Sequence, residues 1–131
     1  MNARTLTQAE INKALVANYY AEVWNRHDAQ ALARFVATDY IQHNPAVSNG
    51  REPLQQFLGG LFAQLPQSGF TVARLVAEGD LVVAHCLFKA HAADRGTAVI
   101  DVYRVADGLL VEHWDVKEAV PESTANGHPM V

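Results

Sequence analysis

"DVYRVADGLLVEHWDV" (residues 101–116) holds two runs of alternating side chains around Ala106-Asp107-Gly108. In the first run Asp101 and Tyr103 oppose Val102 and Arg104. In the second, Val111, His113 and Asp115 oppose Glu112, Trp114 and Val116. A period of two predicts strands, and a short Asp-Gly turn between two such runs predicts a hairpin. The pattern extends upstream. FTVARLVAE (70–78), a Gly79-Asp80 turn and LVVAHCLFKAH (81–91) form a second strand pair, and GTAVIDVYRV (96–105) joins it to the first. Four strands in an antiparallel meander are expected.

The N-terminal half has a different period. Thr7-Gln8-Ala9-Glu10 reads as a capping box that opens a helix running to about Asn25. Leu15, Val16, Tyr19, Tyr20 and Val23 fall on one arc, with Asn18, Glu22 and Asn25 opposite. Asp28 is suited to N-cap a short helix with Leu32, Phe35 and Val36 inward. A third helix begins near Gly50, with Pro53 in its first turn, and LPQSG (65–69) ends it. Between these helices, Tyr40 and Ile41 of YIQHNP (40–45) are strand-like residues followed by three polar side chains and a proline. Helices first and strands second predict an α+β domain over residues 1–131.

Composition narrows the function. The chain has 131 residues, half of them hydrophobic, and a net charge of −4 without any Lys/Arg run, which argues against nucleic acid. No apolar run reaches membrane-spanning length, and the N-terminus lacks the apolar stretch of a signal peptide. The single cysteine, Cys86, rules out an internal disulfide framework or a cysteine zinc site. A cytoplasmic setting is the simplest expectation.

Four ionisable residues, His85, Asp101, His113 and Asp115, recur at inward-type positions on three successive strands. Burying them unpaired would cost several kcal/mol, so they are expected to meet each other, water or a ligand. The strand phase groups Val83, His85, Leu87 and Lys89 on one face of the second strand. It leaves Val82, Ala84 and Phe88, with Ile100, Val102 and Trp114, as an outer apolar face suited to a homodimer. His113-x-Asp115, with His43 or His85, is a weak metal pattern, and no metal is expected.

The order of elements resembles the nuclear transport factor 2-like fold, in which a curved antiparallel sheet wraps helices into a cone with a pocket at its open end. DYIQHNP (39–45), GREPLQQFL (50–58), the 101–116 stretch and NGHPM (126–130) together resemble the SnoaL-like polyketide cyclase group, in its aldol-condensation branch. The resemblance implies cofactor-free acid/base catalysis on a small apolar or carbonyl-rich, polyketide-like molecule. It matches Asp115 to the family's acid/base carboxylate, and His43 and Asn44 to its pocket wall. His43 and His113 join Asp115 in the catalytic set, while His85, Asp101, Tyr19, Phe57, Leu61 and Leu87, with Asn44, complete the substrate-binding set from their positions on strands and helices. Non-catalytic ligand binding, and epoxide hydrolase, dehydratase or isomerase chemistry, are the alternatives, because one fold hosts many reactions.

Overall fold

The computed structural model describes residues 3–131. Helix α1 spans Gln8–Tyr19 and runs without a break into a π-helical turn, Tyr20–Asn25. A 3₁₀ turn, Ala29–Arg34, leads to strand β1, Val36–Gln42. Helix α2 is Arg51–Gln64. The strands β2 (Gly69–Glu78), β3 (Leu81–Lys89), β4 (Thr97–Ala106) and β5 (Leu109–Ala119) follow. No helix among the described residues is long and apolar enough to cross a membrane.

The local signals act as their chemistry dictates. The Thr7 hydroxyl accepts from the Glu10 N–H, and the Glu10 carboxylate accepts from the Thr7 N–H, which completes the capping box. The Asp28 carboxylate accepts from the N–H groups of Gln30 and Ala31. The π turn widens the end of α1: the Asp28 N–H reaches back five residues to the Val23 carbonyl at 3.0 Å. With that turn in place, Tyr19, Tyr20 and Val23 are all buried, and Trp24 packs against the same core. The Asn25 side chain then donates to the Phe70 carbonyl and accepts from its N–H, which fastens the helix end to β2.

The sheet order is β1-β5-β4-β3-β2. Strands β2 to β5 form the expected antiparallel meander, but β1 lies parallel to β5, so the sheet is mixed. Val36, read as the inward end of a short helix, is instead the first residue of β1 and is fully buried. A parallel neighbour needs a long crossover, and α2 with the whole meander supplies it. The β1 register is broken between Val36 and Ile41, which explains why its pattern in the sequence is faint.

Helix α2 presses Leu54, Leu58 and Phe62 into the core. Opposite them lie Val82, Ala84 and Cys86 of β3 and Val99, Tyr103 and Val105 of β4. This reverses the expected phase of β3. Ala84 pairs with Asp101 and Cys86 with Val99, so the concave face carries Val82, Ala84, Cys86 and Phe88. His85 pairs with Ile100 and Leu87 with Ala98 on the convex face. Val82, Ala84 and Phe88 are therefore not part of any outer apolar face. The physical reason is that β3 is apolar on both sides, so its alternation cannot mark the inner one.

Candidate functional site

A cavity of about 270 Å³ lies between the concave sheet and the helices. Its apolar wall includes Trp24, Leu54, Phe57, Leu61, Phe70 and Phe88. Its polar wall is built from the end of β1 and from adjacent inward positions of β4 and β5. The register sets Asp101 opposite Asp115 and Tyr103 opposite His113, which brings two carboxylates and an imidazole to one place.

These groups form one hydrogen-bonded chain. The Tyr103 hydroxyl donates to the Tyr20 oxygen at 2.9 Å, and the Tyr20 hydroxyl donates to Asp101 Oδ2. Asp101 Oδ1 lies 2.8 Å from His113 Nε2, and His113 Nδ1 lies 2.7 Å from Gln42 Oε1. Gln42 Oε1 also accepts from the Asn44 N–H, so it is an acceptor and His113 Nδ1 must carry a proton. Both Asp101 and His113 are buried.

Asp115 stands beside this chain. Its Oδ2 accepts from Asn44 Nδ2 at 2.8 Å and lies 4.0 Å from His113 Nε2. Asn44 is itself oriented, because its Oδ1 accepts from the Ala46 N–H. The other Asp115 oxygen has no hydrogen-bond partner among the described residues and is not sealed from solvent.

The surrounding phenols stay neutral. Burial is the largest cause in each case. It pushes the Tyr20, Tyr40 and Tyr103 hydroxyls well above their ordinary range, and the nearby negative charge of Asp101 adds to it. Burial likewise raises Tyr19, against a smaller opposing effect of the neighbouring Trp24 indole. The Cys86 thiol is pushed up to about 12 by burial, so it remains a packed thiol rather than a nucleophile.

Most of the expected site residues line this cavity: Asp115, His113, Asp101, Asn44, Tyr19, Phe57 and Leu61. Three do not. His43 leaves β1 on the convex side, where its ring stacks on Trp114 at 4.8 Å and its Nε2 pairs with Glu112. His85 accepts from Arg74 on the same outer face, and Leu87 sits beside Gly96 away from the cavity. Gln42 was missed as a site residue although the signal was present: Tyr40, Gln42 and Asn44 share one side at a period of two.

The ligand atoms of Asp101, His113 and Asp115 lie within 4.8 Å of one another, so the trio has the spacing of a metal site. His43 and His85, the alternatives from sequence, are both elsewhere. An ion here would have to break the Asp101–His113 contact and compete with Tyr20 and Asn44 for carboxylate oxygens. The donor set thus fits a hydrogen-bond relay better than a metal.

Residues 16–113 match the SnoaL-like domain family. No curated protein matches the chain. Among solved structures it is similar to TsrD from Streptomyces laurentii, at 26% identity, with 87% of this chain and 92% of that one covered and a TM-score of 0.70. It is also similar to a loop-truncation variant of IdmH, at 26% identity, 82% and 92% coverage and a TM-score of 0.72. Wild-type IdmH is a proposed polyketide cyclase from Streptomyces antibioticus. A proposed polyketide cyclase from Acidithiobacillus ferrooxidans shares the fold, at 20% identity, 86% and 92% coverage and a TM-score of 0.73. With three-quarters of its length matched, and with helices packed on a curved five-stranded sheet of the nuclear transport factor 2-like kind, the chain belongs to the SnoaL-like domain family.

Proposed function

We propose that this protein is a cofactor-independent acid/base enzyme that promotes an aldol condensation or cyclisation of a small, polyketide-like carbonyl compound. The observation that carries this reading is Asp115: a carboxylate in an apolar cavity, held through one oxygen by Asn44, with the other oxygen free of protein partners. A base needs an open lone pair and a fixed orientation, and Asp115 has both. The cavity is slightly below the ~300–1,000 Å³ usual for small-molecule sites, which favours a compact ring system.

The chemistry balances without any further reagent. Asp115 takes a proton from the carbon next to a carbonyl, and the C–H electron pair moves into a carbon–carbon double bond as the carbonyl becomes an enolate. The enolate carbon attacks a second carbonyl in the same molecule. The new alkoxide recovers the proton from Asp115. His113 and Asp101 beside it are hydrogen-bonded to each other and hold the polar wall in one arrangement. A homodimer across the convex face belongs to the same proposal, now with Val83, Ile100, Val102 and Trp114 as its apolar residues.

The test is exchange of ketone α-protons in heavy water, followed by NMR on a panel of small cyclic ketones and diketones. Asp115→Asn is expected to keep its melting temperature and to lose at least about a hundredfold in exchange rate. Equal exchange by the variant would overturn the role of Asp115. Absence of exchange by the native protein, together with a retained host ligand in native mass spectrometry, would favour a binding protein.

A further inference from the structure

Five buried polar residues line the cavity: Tyr19, Tyr40, Asp101, Tyr103 and His113. Three of them make hydrogen bonds within the Tyr103–Tyr20–Asp101–His113–Gln42 chain. Among the described residues neither the Tyr19 nor the Tyr40 hydroxyl has an acceptor for its proton; the Trp24 indole N–H approaches the Tyr19 oxygen without closing a full hydrogen bond. Neither hydroxyl is sealed off. Among the described residues the sealed side-chain donor without a full hydrogen bond is the Trp24 indole N–H, whereas the two phenols open on the cavity that they line. Both residues are almost entirely buried, at 2% and 1% exposure. Their rings are also locked. Tyr19 meets Tyr103 edge to face at 5.9 Å, and Tyr40 stacks near-parallel on His113 at 6.3 Å.

A hydroxyl that faces a cavity with no acceptor in the protein is left to donate to whatever fills that cavity. Two of them, fixed and facing one cavity, form donors prepared for an acceptor that enters from outside. Tyr19, Tyr40, Asp101 and Asp115 line the same cavity, so the donors and the open carboxylate belong to one site. Lys117 of the lining is exposed and the Asn44 amide is engaged by Asp115, while the Asp101 and Asp115 carboxylates repel a carbonyl oxygen. The phenols attract one.

We propose that the Tyr19 and Tyr40 hydroxyls are the donor pair that receives the substrate's carbonyl oxygen, and that they select small ketones with a C–H bond beside that carbonyl. This rests on the acid/base reading of Asp115 and adds the group that takes up the enolate charge. When Asp115 removes the α-proton, the carbonyl π electrons move to oxygen, and the two O–H groups that line the cavity donate to it. Both phenols remain protonated throughout and only donate.

The probes are 1-tetralone and tetralin, which differ by the carbonyl oxygen. The native protein is expected to bind 1-tetralone at least about tenfold more tightly than tetralin by calorimetry, equivalent to two modest hydrogen bonds. The stretching band of a ¹³C-labelled carbonyl is expected to fall in frequency on binding. In the double variant Tyr19→Phe/Tyr40→Phe the preference is expected to drop below about threefold and the band to return, while the melting temperature holds or rises. Asp115→Asn is expected to keep the preference. A preference or band shift that survives in the double variant would overturn the donor assignment and leave Asp115 as the base. A native protein that binds neither probe, or binds both equally, would overturn it as well, and failure to bind either would also remove support for the cavity as a ketone site.

Discussion

Gln42 shows how much one side chain can organise. A single amide oxygen accepts from the His113 ring and from the Asn44 N–H, and so sets the imidazole tautomer and the turn that carries Asn44. Gln42→Leu leaves both donors without that acceptor and is expected to cost about 1–3 kcal/mol in urea denaturation. Gln42→Glu restores an acceptor and is expected to recover most of the loss; no recovery would show that packing, not hydrogen bonding, is at stake. His43, one position on, has the opposite character. Its partners are Trp114 and Glu112 on the convex face, and its side chain is 42% exposed. His43→Ala is expected to leave 1-tetralone affinity unchanged and to cost less than about 1 kcal/mol. A clear fall in affinity would return His43 to the site. The residue type made His43 attractive in the sequence, but the strand phase of its neighbours decides where it points.

At the scale of elements, the helices and the four-stranded meander were legible because their signals are local: a capping box, an Asp N-cap, two Gly/Asp turns and clear periods. What was not legible was which face of β3 is inner, because Val82 and Val83, or Leu87 and Phe88, are equally apolar. Pairing with β4 settles it, and Ala84 becomes a fully buried residue opposite Asp101. Ala84→Leu is therefore expected to overpack the core by about 1–3 kcal/mol. His85→Thr, on the convex side, is expected to stay within about 1 kcal/mol. Thermal unfolding of the two variants separates the phases, and the reverse order of effects would refute the register. The π turn was equally hidden. It shifts Tyr20 and Trp24 inward by a local change in winding that leaves no mark in a 3.6-residue period.

At the scale of the molecule, all four tyrosines meet in one core beside the polar chain. Their hydroxyls are raised above the ordinary value of about 10. Below that pH both native and unfolded chains hold these protons, and stability is unaffected. Above it the unfolded chain loses them while the native one keeps them, so stability falls by up to about 1.4 kcal/mol per pH unit for each phenol. The expected outcome is one cooperative alkaline transition, in which tyrosinate absorbance at 295 nm rises together with loss of the far-ultraviolet circular dichroism. Tyrosinate appearing in a folded protein would contradict it. The sequence by itself determined the elements, the α+β order and the chemistry available at Asp101, His113 and Asp115, because periodicity, caps and turns are properties of neighbours along the chain. Only the tertiary structure decided that β1 lies parallel on β5, that Gln42 rather than His43 meets His113, and that two phenols open on the cavity. Each of those depends on pairing between residues far apart in the chain, and burial on one face of a sheet exists only once the strands have met.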